Sequence, residues 1–256
     1  MTTARTILIT GAGGGLGRGM ALGLAERGHT IVATDLTREA TDEVVAQIQA
    51  SGGRAAGYPR DVTSSASIEQ LIAALGEQPV DVVINNAGLQ HVSGVEEFPE
   101  EKWNELIRVM VSGPFLLSRA FLPGMRTRGF GRLVHIGSIH SLVASPFKSA
   151  YTAAKHALLG FSKVLALETA GVDITSNTIC PAYVRTPLVD AQIAAQARTR
   201  GIPEEEVIQK IMLAPMPKQT FITVEEVAAA VEYLISPLAR NVTGQTITID
   251  GGWTSQ

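Results

Sequence analysis

Tyr151 and Lys155 stand four residues apart in a stretch with helical spacing, so they share one face of a helix. An ammonium beside a phenol favours the phenolate and is expected to lower its pKa toward working pH. Such a tyrosine can take the proton of an alcohol as hydride leaves the carbon, or return it in the reverse direction. Ser138, just past the apolar run Gly131–Ile136, can hydrogen-bond the same substrate oxygen. A Tyr/Lys pair alone reads equally as a surface pair of little energy. What lifts it is the serine together with a nucleotide loop.

That loop is Thr10-Gly11-Ala12-Gly13-Gly14-Gly15-Leu16-Gly17. Glycine permits the tight turn and lets backbone N–H groups approach a pyrophosphate at a positive helix N-terminus. It follows a strand and opens a helix, the context the motif requires, and Gly11, Gly15, Leu16 and Gly17 are its candidate contacts. Asp35 ends the next strand, where a carboxylate accepts hydrogen bonds from the adenine ribose hydroxyls. It would repel a ribose phosphate, so NAD is expected over NADP, with nearby Arg38 the opposing sign. Asp61-Val62 and Asn85-Asn86-Ala87-Gly88 follow the third and fourth strands, at carboxyl ends where open α/β sheets bind ligands. Asp61 reads either as an adenine contact or as an N-cap of the next helix, and Asn86 and Gly88 also read as turn formers.

These residues need a scaffold, and the chain alternates short apolar runs with longer helical patterns. Strands are expected at 7–10, 30–34, 54–60, 80–84, 131–136, 173–179 and 245–249. Helices are expected at 16–27, 38–50, 65–76, 101–122, 149–170 and 223–235, with a helical insert at 188–213. Strands apolar throughout and separated by helices imply a parallel sheet covered on both faces. Right-handed crossovers then give a doubly wound α/β sheet, the Rossmann fold. No linker or repeat divides the 256 residues, so one domain is expected, with 188–213 either a lid over the active site or an ordinary surface helix pair.

Composition narrows the function classes. A net charge of -3 argues against a nucleic-acid partner. No apolar run approaches the ~20 residues of a spanning helix, and because the first residues lead directly into an apolar strand, no secretory segment is expected. Cys180 is the single cysteine, read as a small buried residue at a strand end rather than a nucleophile. With no disulfide possible, a reducing, cytoplasmic setting and a small-molecule substrate are expected.

The sequence resembles the short-chain dehydrogenase/reductase family over almost its whole length. The matching segments are Thr10–Gly17, Asn85–Gly88, Ser138, Tyr151-Thr-Ala-Ala-Lys155 and Asp250-Gly-Gly252, in that order. The resemblance implies that Tyr151 is the general acid/base and Ser138 its partner, while Lys155 tunes the tyrosine and binds the nicotinamide ribose. It implies that Thr186 holds the nicotinamide carboxamide, with Pro181 and Val184 also on the cofactor, and that the assembly is a homotetramer. Two departures stand out. Met110-Val-Ser-Gly113 occupies the place of the family's Asn-Val-x-Gly, whose asparagine helps hold a water that links the lysine to solvent. A backbone carbonyl at a helix kink there would still hold that water, leaving a working but handicapped relay. Pro181-Ala182 replaces a frequent Pro-Gly.

Within the family, the segments Asn86–Val92, Leu122–Met125, Ser138-Ile-His140, Lys148–Tyr151, Ala154-Lys-His156, Leu167-Glu-Thr169 and Gly251-Gly-Trp253 are most similar to the (R)-3-hydroxybutyrate dehydrogenase branch. That implies a short 3-hydroxy acid and its 3-oxo acid as substrate pair, the carboxylate held by Gln90, His140, Lys148 and Gln192. A point charge and directional donors are what an anion in a cleft requires. Each has a plainer reading: a solvated loop residue, a satisfied structural histidine, a surface lysine, a polar position on the insert. Lys148 at a helix start opposes the helix dipole and so asks for an explanation. Tyr183, a further substrate-side position, stands where relatives of that branch often have tryptophan, and Phe147 is bulky. A neutral secondary alcohol, sugar or polyol is the alternative substrate class. A catalytically weak NAD-binding sensor is the third reading, recommended by Met110 alone.

Overall fold

The computed structural model describes residues 3–255, with the side chains at 188, 191, 192, 195, 196 and 199 outside that description. Its strands are β1 (Thr6–Thr10), β2 (Thr30–Asp35), β3 (Arg54–Pro59), β4 (Val82–Asn85), β5 (Phe130–Ile136), β6 (Asp173–Pro181) and β7 (Thr246–Ile249). Among the described residues they form one parallel sheet of seven strands, ordered β3-β2-β1-β4-β5-β6-β7. The helices are α1 (Gly15–Glu26), α2 (Arg38–Ala50), α3 (Ser65–Leu75), α4 (Glu100–Ile107), α5 (Gly113–Arg128), α6 (Ser149–Glu168), α7 (Pro187–Arg200), α8 (Glu204–Val207) and α9 (Val224–Ile235).

Side chains alternate across a strand, so the continuous apolar runs feed two cores. Ile7 and Ile9 pack on one face with Met20 and Leu24 of α1 and Val227 and Val231 of α9. Leu8 faces the other way, with Leu71 of α3, Leu117 of α5 and Leu165 of α6. The chain's order reverses between β1 and β4. The carboxyl ends of the strands therefore part at that point and leave a crevice.

The single helix expected at 101–122 is instead two helices joined by a π turn at Arg108–Ser112, and it continues to Arg128. Pro123 does not end it. Leu117, Phe121 and Met125, four residues apart, anchor the last turns in the core and offset the missing backbone donor. The helix stops at Gly129, whose φ of 70° is left-handed. By length and hydropathy alone Glu100–Arg128 would suffice to cross a bilayer, but its apolar stripe lies against the sheet. The insert forms α7, α8 and a second π turn at Ile208–Met212. Ile193, Ala197, Val207 and Met212 make a small core of their own with Tyr183 and Phe221 packed against it.

Candidate active site

A cavity of about 1020 Å³ opens along the carboxyl ends of the strands. Every expected site residue lines it except Gln192, whose side chain lies outside the described residues.

The nucleotide half is built by β1, β2, β3 and β4. A Cβ on Gly17 would collide with the Gly11 carbonyl and the Asn86 amide, and one on Gly13 with Ala40. Glycine at these two positions lets the loop close onto the helix. Gly14 and Gly15 face open space. α1 starts there with no side-chain cap and no acid in its first turn, so its N-terminal donors are available to an anion. Asn86 donates from Nδ2 to Thr10 O at 2.8 Å, and its own N–H donates to Thr10 Oγ1 at 3.0 Å. It is thus a brace for the loop rather than a turn former alone. The Asp35 carboxylate accepts from Gly13 N at 2.9 Å and Leu36 N at 2.7 Å, which fixes its direction. Asp61 is not an N-cap of α3. Ser64 is, accepting from Ser67 N, while Asp61 accepts from the N–H and hydroxyl of Thr63 at 2.8 and 2.7 Å. An uncapped helix start, a glycine turn and an oriented carboxylate fit a dinucleotide, whose pyrophosphate the loop would hold and whose ribose Asp35 would hold.

The chemical half comes from β5, β6 and α6. Ser138 caps the short 3-10 turn Ile139–Ser141, its Oγ accepting from His140 N at 3.1 Å. Tyr151 and Lys155 project from α6 toward the end of β5. Lys155 is buried and donates to Ile136 O at 2.6 Å, with Nζ 5.6 Å from the Tyr151 ring centre. Here an expectation fails. Burial raises the Tyr151 phenol above its ordinary value, opposed by a hydrogen bond from Ser138, and no depression by Lys155 emerges. Burial also brings Lys155 down to about 8. The reason is common to both: each charged form has lost its water, and desolvation outweighs the attraction between them. Met110 lies buried in the π turn, against Ala150, Ala154 and Tyr151, so it adds an apolar wall and no donor or acceptor.

A third group forms the substrate wall. Lys148 Nζ lies 3.1 Å from His140 Nε2. Burial, then the charge on Lys148, brings His140 to about 4, so it is neutral and accepts that bond. Its Nδ1 is buried with no partner among the described residues, which removes the reading of a satisfied structural histidine. Lys148 is the N-cap residue of α6 but makes no capping bond; its side chain turns into the cavity, where burial lowers its pKa. The preceding Phe147 has a φ of 67°, a left-handed conformation that is strained for an aromatic residue. Gln90 sits exposed on the cavity's edge. Tyr183 stacks on Trp253 with ring centres 6.1 Å apart, and His140 meets Trp253 edge-on at 6.1 Å. Trp253, which the sequence marks only as a point of resemblance, does not line the cavity itself but backs its wall through Tyr183 and His140, and only the tertiary path of the chain brings it here. Leu36, Arg60 and Thr63 also line the cavity unforeseen. Their proximity to Asp35 and Asp61 in sequence was the available signal. Cys180 is fully buried, as a small core residue should be.

Residues 11–254 match a family model described as Enoyl-(Acyl carrier protein) reductase. The chain is 45% identical to the D-beta-hydroxybutyrate dehydrogenase of Rhizobium meliloti, covering 98% of this chain and 99% of that one. It is 40% identical to the D-beta-hydroxybutyrate dehydrogenase of Cupriavidus necator over the full length of both. An Agrobacterium tumefaciens structure named for 2-deoxy-d-gluconate 3-dehydrogenase activity, solved with bound NADP, superposes with a TM-score of 0.86 at 30% identity, covering 98% of this chain and 97% of that one.

Proposed function

The chain belongs to the short-chain dehydrogenase/reductase family, and on that premise we propose that it interconverts a short 3-hydroxy acid and its 3-oxo acid, (R)-3-hydroxybutyrate and acetoacetate, with NAD as cofactor. One observation carries the substrate class. The cation of Lys148, paired with neutral His140 at 3.1 Å, faces the same cavity as Ser138 and Tyr151. A half-desolvated ammonium beside a reacting centre suits a carboxylate and has no use for a neutral polyol.

When bound, the nicotinamide supplies or accepts the hydride. The chain's own residues do the rest. Ser138 and the Tyr151 phenol hold the carbonyl oxygen. In reduction Tyr151 gives its proton to that oxygen; in oxidation it takes the proton back. The raised phenol suits the acid role, and below pH 8 Lys155 stays charged and stabilises the phenolate left behind. Lys148 and His140 fix the carboxylate, while Tyr183, backed by Trp253, closes the apolar side. The orientation of Asp35 supports NAD over NADP, and a homotetramer in a reducing compartment belongs to the same reading.

The test is NADH oxidation across a panel of acetoacetate, acetone and keto-sugars. Turnover is expected with acetoacetate. Lys148→Met is expected to raise its KM at least about tenfold. Tyr151→Phe is expected to lower kcat by about 10²–10⁴ while NADH still binds. Activity on acetone or a keto-sugar with none on acetoacetate would transfer the protein to the neutral-substrate class.

A further inference from the structure

Lys155 holds Ile136 O with one of its three N–H donors, and the cofactor's ribose would take a second. Met110, in the π turn, offers the remaining one only an apolar wall. The sheet offers more. One step before Ile136, three polar residues stand level on adjacent strands: Asn85 on β4, His135 on β5 and Thr178 on β6. Strand alternation turns all three, with Val83, Leu133 and Ile174, toward the layer of α5 and α6. Lys155 and Ser162, two turns apart on α6, face that layer too, and Ser162 Oγ meets Ser176 Oγ of β6 at 2.9 Å. Thr178 packs beside the residue that follows Ile136, since a Cβ on Gly137 would meet Thr178 Cγ2 at 2.8 Å. Asn85 is 4% exposed, and His135 and Thr178 not at all.

His135 organises the row. Burial, then the charge on Lys155, brings it to about 4, so it is neutral. Its Nδ1 accepts from Asn85 Nδ2 at 3.2 Å, and its Nε2 donates to Ser176 Oγ at 3.2 Å. With the amide held in that sense, Asn85 Oδ1 points away from the imidazole. Asn85 Oδ1 and Thr178 Oγ1 are both buried and have no partner among the described residues. Buried polar atoms of native proteins are satisfied by protein groups or by ordered water. We propose that the row of Asn85, His135 and Thr178 is a buried hydration site, and that the water it holds solvates the Lys155 ammonium from the sheet side, a contact that Met110 does not make from the helix side. The three are positioning residues, and their part in the reaction rests on the role given to Lys155 above. The titratable groups turned toward Lys155 are Tyr151 on α6, His135 on β5 and Cys180 on β6, while Glu105 of α4 and Arg108 of the π turn line the open cleft.

The pH dependence of ketone reduction tests this. Loss of the Lys155 proton removes the charge that stabilises the Tyr151 phenolate, so the rate is expected to fall as pH rises through about 8. A less solvated ammonium gives up its proton earlier. Thr178→Val, which deletes only the orphaned hydroxyl, is therefore expected to move that fall down by about one pH unit. Thr178→Ser keeps the hydroxyl and is expected to follow the wild type. Asn85→Leu removes the other oxygen and is expected to act like Thr178→Val; melting curves show which variants are folded, and Thr178→Val carries the test if Asn85→Leu is unstable. Urea midpoints measured against Lys155→Met in each background follow the same proton with no substrate, and their rise with pH should begin about one unit lower in Thr178→Val. An unmoved pH profile in folded Thr178→Val, or a loss of rate equal at every pH, would overturn the hydration site. A wild type that reduces no ketone, with the urea shift present, would overturn the catalytic reading and leave the hydration site standing.

Discussion

Lys155 carries its charge where water cannot follow, and its pKa of about 8 has a consequence for stability. Unfolded, the lysine holds its proton up to about 10.4. Between about 8 and that value the unfolded chain binds more protons than the folded one, so rising pH favours the fold. Below 8 both states are charged, and the folded state carries the whole burial penalty. Relative to Lys155→Met, the wild type should therefore gain about 1–3 kcal/mol between pH 8 and 10. Urea midpoints of the two proteins across that range measure it, and parallel curves would refute it. At this scale the sequence was informative about identity and misleading about electrostatics. Tyr151, Lys155 and Ser138 were legible from spacing and context. The direction of the Tyr151 shift was not, because burial is a property of the packed cavity and not of two neighbours on a helix.

Elements position these residues through close backbone approach as much as through side chains. α1 can begin beneath the loop only because Gly17 lets the Gly11 carbonyl pass. Gly17→Ala must push the two apart, at a cost of about 1–3 kcal/mol for overpacking. A lowered melting temperature together with lost NADH binding is the expected result; normal binding in that variant would contradict it. The strands and most helices were legible because apolar runs and glycine stops are local signals, as at α2, found where expected. The π turn at Arg108–Ser112 was not. It arises where Gly113 passes close to Val62 and Met110 packs on α6, and nothing in the local sequence marks an extra residue per turn. Pro123 misled in the opposite sense, since packing of Phe121 and Met125 overrules the local penalty.

Across the whole molecule, the cleft joins two halves of one sheet. The ends of β1, β2 and β3 line one part, and those of β5 and β6 the other. A ligand touching both stabilises only the state in which both are formed. NADH at a hundred times its Kd is expected to add about 2.7 kcal/mol, read as a rise in melting temperature that grows with ligand concentration. A melting temperature indifferent to NADH would count against the dinucleotide site. Fold class was legible at this scale from strand and helix alternation alone. The substrate wall was not, because it unites His140 with Trp253 across strands far apart in the chain. That distance has a meaning in time. Translation delivers Gly11–Gly17 first, Tyr151 and Lys155 later, and Trp253 last. Because Pro181, Val184 and Thr186 also follow the catalytic pair, a nascent chain holds neither a whole cofactor site nor a whole substrate wall until the late strands β6 and β7 have docked side by side, and it stays chemically silent until then.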